Sequence, residues 1–284
     1  MFQYLTYKLA HFLAMNLPLR LGYGLAAFIA KLQYLLSRND RLIVYANLRA
    51  IFPDEDEKEI KRLAKEVFVN FAKYLTDFFR FEKLDRGYID SHVKISGGQN
   101  LDDALKRGKG VITLTAHIGN YELGGAVISL LGYKFNAVAL NHKEKKVNDI
   151  FVGQRARAGI NVIPLGAAVK KCYEALKKGE IVALVGDRDF TPHGIRTKFF
   201  GKDALIPRGP AAFYLKAGVA IVPGFLIRMP DDTFELRFEK PISYAATGDE
   251  QLDEQRITDM CLRAIEDCIR RYPSQWYMFR RFWI

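Results

Sequence analysis

A chain of 284 residues is long enough for one large domain with an added element, and 49% apolar residues exclude a disordered protein. Its three cysteines lack metal-ligand or disulfide spacing, which indicates a reducing, cytosolic environment. The net charge of +11 is concentrated, because lysine and arginine outnumber aspartate and glutamate by 6 to 1 in residues 1–50 and by 14 to 7 in residues 141–210. Two basic blocks indicate anionic partners: a lipid headgroup surface, an acidic carrier protein or a nucleic acid.

The first 36 residues predict two amphipathic helices that meet near Pro18. The apolar positions at helical spacing are Phe2, Leu5, Leu9, Phe12, Leu13, Leu21, Leu25, Phe28, Ile29, Leu32, Leu35 and Leu36. The longest charge-free run is about ten residues, half of the roughly twenty that a bilayer span needs, and no signal-peptide pattern is found. We predict helices that lie in a membrane interface, with a hairpin packed on its own domain as the alternative.

The next segments predict helices of the folded body. Residues 38–53 read as a connecting helix ended by a proline, and the acidic segment 54–57 starts another helix. Its apolar stripe continues to Phe79 and is typical of a core-facing helix. We therefore predict an N-terminal membrane-associating element in residues 1–52 and a single α/β domain in residues 53–284.

From about residue 93 the pattern becomes that of an α/β fold, in which apolar β-branched runs alternate with helical segments. The predicted strands are 111–115, 135–140, 161–164, 181–186, 220–229 and 234–239. The predicted helices lie near 99–107, 120–131, 144–158, 167–178, 208–217 and 252–271. The last helix carries Cys261 and Cys268 on its inner face, as core residues. Together these elements predict a layered α/β domain whose mixed sheet is flanked by helices.

The strand 111–115 leads into His117 and then into a Gly-Asn turn. Open α/β sheets place their reactive groups at the carboxyl ends of their strands. His117 alone among the five histidines is followed five positions later by an acidic residue, Glu122. We predict that the Glu122 carboxylate accepts the second N–H of the ring and fixes one tautomer. His117 would then act as a general base for a hydroxyl.

Two further segments offer groups for an anion. The strand 181–186 leads into Asp187, Arg188 and Asp189, where an arginine between two carboxylates is oriented toward an anion or a developing oxyanion. A structural ion network is the alternative interpretation.

Later in the chain, Arg208 precedes Gly209, which opens a helix whose free N–H groups can receive phosphate or carbonyl oxygens. An ordinary helix start is the alternative there. Gly119 and Asn120, in the turn after the histidine, are further candidates for the oxyanion contact.

Several common motifs are absent from the sequence. It has no GxxxxGK[ST] loop, no GxGxxG after a strand, no HExxH, no CxxC and no GxSxG elbow. We therefore predict no cofactor, no metal and no serine-hydrolase chemistry. After residue 271, aromatic residues alternate with arginines, as at nucleic-acid or lipid headgroup surfaces, or in a tail packed on its own domain.

Several motifs carry a family resemblance when they are taken together. They are residues 117–122 (HIGNYE), 187–190 (DRDF), 199–201 (FFG), 206–210 (IPRGP) and 273–276 (PSQW), with Asn47, Leu48, Phe52 and Pro53 as an earlier block. With these motifs in order, nearly the whole chain resembles the late acyltransferases of lipid A biosynthesis and their glycolipid relatives, in the lysophospholipid acyltransferase superfamily. The resemblance implies a layered α/β acyltransferase domain and a membrane-facing cleft.

The resemblance also implies an activity, which is acyl transfer from an acyl carrier protein or coenzyme A thioester to a sugar or acyl-chain hydroxyl. The acceptor is then an anionic glycolipid such as a lipid A precursor, and His117 is the base. The expected location is the cytoplasmic face of the bacterial inner membrane, as a peripheral or monotopic enzyme without a nucleic-acid partner. The Pro-Glu-Gly phosphate motif of the glycerophosphate branch is missing, which disfavours a lysophospholipid acceptor.

Two alternatives stay open. One is an acyltransferase for another glycolipid, such as a mannosylated phosphoinositide, or for an aminolipid. The other is a non-enzymatic peripheral membrane or nucleic-acid-binding protein that uses the same basic blocks. The second alternative gives no reason for polar groups at the ends of two buried strands.

Overall fold

The structure is a computed structural model that describes residues 2–189 and 193–284. Its helices are α1 Phe2–Asn16, α2 Leu19–Leu36, α3 Arg38–Ile51, α4 Glu57–Phe78, α5 Arg86–His92, α6 Gly98–Leu105, α7 Tyr121–Leu130, α8 Lys145–Arg157, α9 Ala168–Lys177, α10 Gly209–Ala217 and α11 Glu250–Arg271. Its strands are β1 Val93–Ser96, β2 Val111–Thr115, β3 Phe135–Ala139, β4 Asn161–Pro164, β5 Ile181–Val185, β6 Ile195–Phe199, β7 Lys202–Ile206, β8 Ala220–Arg228 and β9 Phe234–Phe238.

Seven strands form one sheet in the order β1-β9-β8-β2-β5-β3-β4, and β6 and β7 form a separate antiparallel hairpin. The strands from β8 to β4 are parallel to one another, whereas β9 runs antiparallel to β8. The predicted mixed sheet flanked by helices is therefore confirmed.

Helices cover both faces of this sheet. One apolar core joins the sheet to α7 and α8, and another joins its opposite face to α9, α10 and α11. The connection after β2 crosses to β3 on the first face, whereas the chain after β5 returns toward β8 on the second face. The carboxyl ends of β2 and β5 therefore form the topological switch point, the position where open α/β sheets bind ligands.

The register of β2 and β5 determines which residues meet at that point. These strands pair in parallel from Val111 with Ile181 to Thr115 with Val185. The same offset, continued for two residues beyond the strand ends, brings His117 beside Asp187. Two segments that are distant in sequence are thus joined by backbone pairing rather than by a local motif.

The N-terminal helices have two different faces. Tyr7 and Ala14 of α1 pack on the body, as do Tyr23 and Ala30 of α2. The large apolar side chains that stay exposed on these helices are Leu5, Leu9, Phe12, Leu21, Phe28, Ile29, Leu32, Leu35 and Leu36. No helix among the described residues is both long and apolar enough to cross a bilayer. The membrane role of residues 1–52 stays a prediction.

Most predicted elements match the structure to within two residues. The strand segments 111–115 and 161–164 match in full, whereas the hairpin strands β6 and β7 were not predicted. The short elements α5 and β1 were not predicted. Phe190 and the side chain of Phe2, which the sequence patterns included, lie outside the described residues. Cys261 and Cys268 are buried and free, as expected.

Candidate active site

A histidine and an aspartate form a buried pair at the switch point. Nδ1 of His117 lies 2.8 Å from Oδ1 of Asp187, and the backbone N–H of His117 donates to Oδ2 of Asp187 at 3.1 Å. The Asp187 side chain is fully buried, whereas 16% of the His117 side chain is exposed. The ring of His117 lines a cavity, so its second nitrogen, Nε2, is the one left for a substrate.

The carboxyl group of Asp187 is held in its charged form. Burial opposes ionisation, but the charge and ring nitrogen of His117, the indole of Trp276 and the His117 backbone N–H together lower the pKa of Asp187 below its ordinary value. A charged carboxylate at Nδ1 favours the imidazole tautomer with its proton on Nδ1.

The structure corrects the expected partner of the ring. Asp187, not Glu122, occupies the position at Nδ1. Glu122 instead forms a bidentate ion pair with Arg155 of α8, with oxygen–nitrogen distances of 2.9 and 2.5 Å. The reason is the position of Glu122 inside the first turn of α7, which directs its carboxylate toward the neighbouring helix. Burial opposes the charge on Arg155, yet Glu122 raises the pKa of Arg155 above its ordinary value.

The turn after His117 has a structural role rather than the predicted oxyanion role. Gly119 has a φ of +61°, and a Cβ atom there would collide with the carbonyl oxygen of Leu226. The N–H of Gly119 donates to Gln275 O at 3.0 Å, and that of Asn120 donates to Leu226 O at 2.7 Å. Both donors are therefore already engaged within the protein.

The side chain of Asn120 is also engaged, and only 1% of the residue is exposed. Its Oδ1 accepts from the N–H of Leu123 and caps α7, while its Nδ2 donates to Asp77 Oδ2 at 2.7 Å. Asp77 in turn pairs with the buried Arg228. Asn120 is thus an anchor of the active-site turn and not a substrate contact, which corrects the sequence-based expectation.

A cavity of about 460 Å³ opens beside the histidine. Its volume falls in the range of small-molecule sites. Small side chains of the sheet and two glycines of α7 enclose its inner part: Thr113, Thr115, Ala137, Ala183, Gly224, Gly124 and Gly125. A second part lies on the opposite face of the sheet and is lined by Val138, Leu165, Cys172, Leu184 and Phe213. The cavity is therefore mainly apolar, with His117 among its polar wall residues.

Four of the remaining predicted binding residues line the cavity, and the fifth, Asp187, does not. Arg188 and Asp189 line the cavity, as do Arg208 and Gly209 at the start of α10. Burial and the neighbouring Arg280 lower the pKa of Arg188 below its ordinary value, but a guanidinium stays charged at neutral pH. Arg208 also pairs with Glu254, so part of its role is structural. Asp187, predicted to flank the arginine, instead bonds to the histidine.

The aromatic C-terminal segment packs on the domain and completes the site. Trp276 is 2% exposed, and its indole N–H donates to Asp187 Oδ2 at 2.9 Å. The backbone of Gln275 and Tyr277 bonds to Gly119 and His117, so this segment runs antiparallel to the active-site turn. The PSQW motif is visible in the sequence, but no local pattern indicates this contact.

Asn47 of α3, from the earlier motif block, holds the next part of the segment. Its Nδ2 donates to the carbonyl oxygens of Met278 and Arg280, at 3.0 and 2.9 Å. Within the described part of the chain, no group of three or more histidine, cysteine, aspartate or glutamate side chains could hold a metal ion.

A histidine–carboxylate pair at the switch point of a mainly parallel sheet, beside an apolar cavity, is suited to acid–base chemistry on a lipid substrate. Residues 3–284 match the model of the family described as bacterial lipid A biosynthesis acyltransferase. The chain belongs to this family, and it is an acyltransferase.

Individual relatives from two substrate groups are similar to the chain. A phosphatidylinositol mannoside acyltransferase of Mycolicibacterium smegmatis is 25% identical over 78% of this chain and 72% of its own length. A lipid A biosynthesis lauroyltransferase of Escherichia coli is 22% identical over 95% of this chain and 88% of its own length. A lipid A biosynthesis palmitoleoyltransferase of the same species is 25% identical over 84% and 78%.

Proposed function

We propose that this protein transfers a fatty acyl group from an acyl thioester to a hydroxyl of a glycolipid, with His117 as the general base. The observation that carries the proposal is the imidazole held at Nδ1 by Asp187 while the ring lines an apolar cavity. Relatives named for lipid A and for phosphatidylinositol mannoside support a glycolipid acceptor. An anionic lipid A precursor and a related glycolipid are the two acceptor classes to be compared.

The chemical step follows from the orientation of the ring. With its proton on Nδ1, the neutral imidazole accepts the acceptor's hydroxyl proton at Nε2. The acceptor oxygen then bonds to the thioester carbon, the carbon–sulfur bond breaks, and the leaving thiolate takes the proton from the imidazolium. Asp187 stabilises the imidazolium while it exists. General-base assistance of this kind contributes roughly 10²–10⁴ to the rate.

Arg188 is our candidate for stabilising the oxyanion of the tetrahedral intermediate. Its side chain lines the same cavity as His117, and a guanidinium placed beside a developing negative charge lowers the barrier. Asp189 and the N-terminal turn of α10, with Arg208 and Gly209, line the cavity near this arginine and are assigned to substrate contacts. Glu122, paired with Arg155, is assigned to holding α7 in position and not to contacting the imidazole.

The inner part of the cavity suits the acyl chain of the donor. Ala183 and Gly224 are only partly buried, although their strands lie inside the sheet. This exposure shows that the space beneath α7 is left open by small residues. An aliphatic chain in this space gains roughly 0.8 kcal/mol for each buried methylene group. The thioester carbonyl would then lie at the mouth, beside His117.

The donor handle is an acyl carrier protein or coenzyme A. Both are anionic. Arg188 and Arg208 line the cavity, and exposed lysines lie next to lining residues in sequence, with Lys143 close to Leu140 and with Lys170 and Lys171 directly after Val169. Exposed charges of this kind are screened within about 8–10 Å at physiological salt. Binding of either donor should therefore weaken as salt is raised.

The exposed apolar faces of α1 and α2 suit binding to a membrane surface. A contiguous apolar surface with basic residues beside it, such as Lys8 and Lys31, is typical of helices that lie in the lipid interface. We therefore assign the protein to the cytoplasmic face of the inner membrane, as a peripheral or monotopic enzyme. A protein bound there is at the surface that holds its proposed lipid acceptor.

The test of the proposed function is a direct assay of acyl transfer. Purified protein is incubated with a labelled acyl thioester of either acyl carrier protein or coenzyme A. The acceptor in each reaction is either a tetra-acylated lipid A precursor or a phosphatidylinositol mannoside, and the products are identified by mass. His117→Ala should abolish turnover while the protein still folds and floats with anionic liposomes. More than a tenth of wild-type turnover in this variant would remove His117 from the base role. No product with any pair, together with a gel shift of nucleic acid, would favour the non-enzymatic alternative.

A further inference from the structure

Trp276 lies in direct contact with the proposed catalytic pair. Its indole N–H donates to Oδ2 of Asp187 at 2.9 Å, and the other carboxylate oxygen of Asp187 bonds to Nδ1 of His117 at 2.8 Å. The indole is buried, so this contact is not exposed to bulk solvent. The carboxylate is therefore held from two sides, by the imidazole and by the indole.

The indole also fixes the direction of the carboxylate. Oδ2 accepts from both Trp276 Nε1 and the backbone N–H of His117, which leaves Oδ1 to face the imidazole. The segment that carries Trp276 is itself tied to the active-site turn, because Ile118 and Trp276 form an antiparallel bridge. The indole donor and the histidine consequently share one rigid frame.

We propose that Trp276 is a positioning residue of the acyltransferase site, which sets the orientation and basicity of the His117–Asp187 pair through its indole N–H. This inference rests on the proposed function, but its structural part can be tested without turnover. Trp276 touches neither the cavity nor a reacting atom, so it acts through Asp187 and not on the substrate.

Loss of the indole donor has a defined consequence. Without it, more negative charge remains on Asp187, which holds the proton on the imidazolium more strongly. A hydrogen bond to a charged group is worth enough to move such an equilibrium by about one pH unit. The acid limb of kcat/KM in Trp276→Phe should therefore move about one unit higher, while the KM for the acyl donor stays unchanged.

The chain offers a matched control, because it contains only two tryptophans. Trp283 also packs among aromatic rings, and its buried Nε1 has no hydrogen-bond partner in the described part of the chain. Trp283→Phe removes an equivalent ring and N–H without touching Asp187. Its pH profile should coincide with that of the wild type.

Two further measurements separate the N–H from the ring and from turnover. In a Trp283→Phe background, benzothienylalanine replaces Trp276 biosynthetically, which keeps the ring volume and removes only the N–H. The analogue protein should shift the acid limb of kcat/KM as Trp276→Phe does. If the Trp276→Phe protein does not fold, the analogue protein alone decides the question. In ¹H–¹⁵N spectra, Asp187→Asn should move the Trp276 indole signal upfield and leave that of Trp283 in place.

An unchanged acid limb in a folded analogue protein would overturn the proposal, and so would an indole signal that ignores Asp187→Asn. The spectra do not depend on catalysis. A wild-type protein without acyl transfer would therefore refute the proposed function and leave the structural contact to be judged separately.

Discussion

Replacing Asp187 by asparagine should abolish most of the catalytic activity while leaving the structure of the site intact. Oδ2 of Asp187 accepts two hydrogen bonds, from the Trp276 indole at 2.9 Å and from the His117 backbone N–H at 3.1 Å. An asparagine must place its amide oxygen there, because an NH₂ group would face two donors. Its NH₂ group is then forced toward Nδ1 of His117, 2.8 Å away in the native pair.

Nδ1 of His117 must then accept a hydrogen bond from this NH₂ group. Nδ1 of His117 loses its proton and Nε2 gains one, so the nitrogen facing the cavity can no longer take the hydroxyl proton. The entire general-base contribution, about 10²–10⁴ in kcat, is removed. The KM values should change little, because Asp187 does not line the cavity.

The assay is steady-state acyl transfer at pH 7.5 with a matched Asp203→Asn variant as the control. Asp203 is exposed on the hairpin, where it pairs with Lys198. ¹⁵N spectra of the labelled histidines report the tautomer directly. More than a tenth of the wild-type kcat in Asp187→Asn, or a His117 ring that keeps its proton on Nδ1, would refute this prediction.

Three further outcomes follow from the geometry. Glu122→Gln leaves Arg155 buried without its counter-charge, so urea unfolding should show a loss of about 3–5 kcal/mol; a stability within 1 kcal/mol of wild type would contradict the ion-pair role. The fold lowers the pKa of Asp187, so ionisation of this carboxyl stabilises the protein at pH values above the ordinary carboxyl pKa of about 4, and this contribution is lost as the pH falls further. The acid unfolding curves of wild type and Asp187→Asn should therefore converge only below about pH 4. Gly125→Ala puts a Cβ 2.8 Å from the Phe135 ring, and because both residues line the cavity, this substitution should narrow the space for the acyl chain. kcat/KM for a 16-carbon donor should then fall about tenfold relative to a 10-carbon donor, from roughly two lost methylene contacts, whereas an unchanged ratio would place the acyl chain elsewhere.

Local sequence patterns were sufficient to predict most of the helices and strands. Strand β2 is a β-branched run that ends before a histidine and a glycine, and its bounds follow from the sequence alone. The same holds for the helix stripe of α4, since apolar periodicity depends only on neighbouring residues. Short polar elements such as β1, with four residues at the edge of the sheet, carry too little pattern to be recognised.

The partner of the histidine could not be predicted in this way. The spacing of His117 and Glu122 is local, and it suggested a contact that helix geometry prevents. The actual partner, Asp187, is 70 positions away and is brought there by the register of β2 and β5. Trp276 lies 89 positions beyond that aspartate. Which strands become neighbours is decided by the whole sheet, so a single sequence gives the candidates without giving their pairing.

The bridge between Ile118 and Trp276 has a consequence for the order in which the protein matures. On the ribosome, α1 and α2 are made well before the segment that carries Trp276. The histidine turn must wait for a segment roughly 160 residues downstream, and such distant pairings form late in folding. Under the proposed membrane role of α1 and α2, a nascent chain attaches to lipid before its histidine turn is complete.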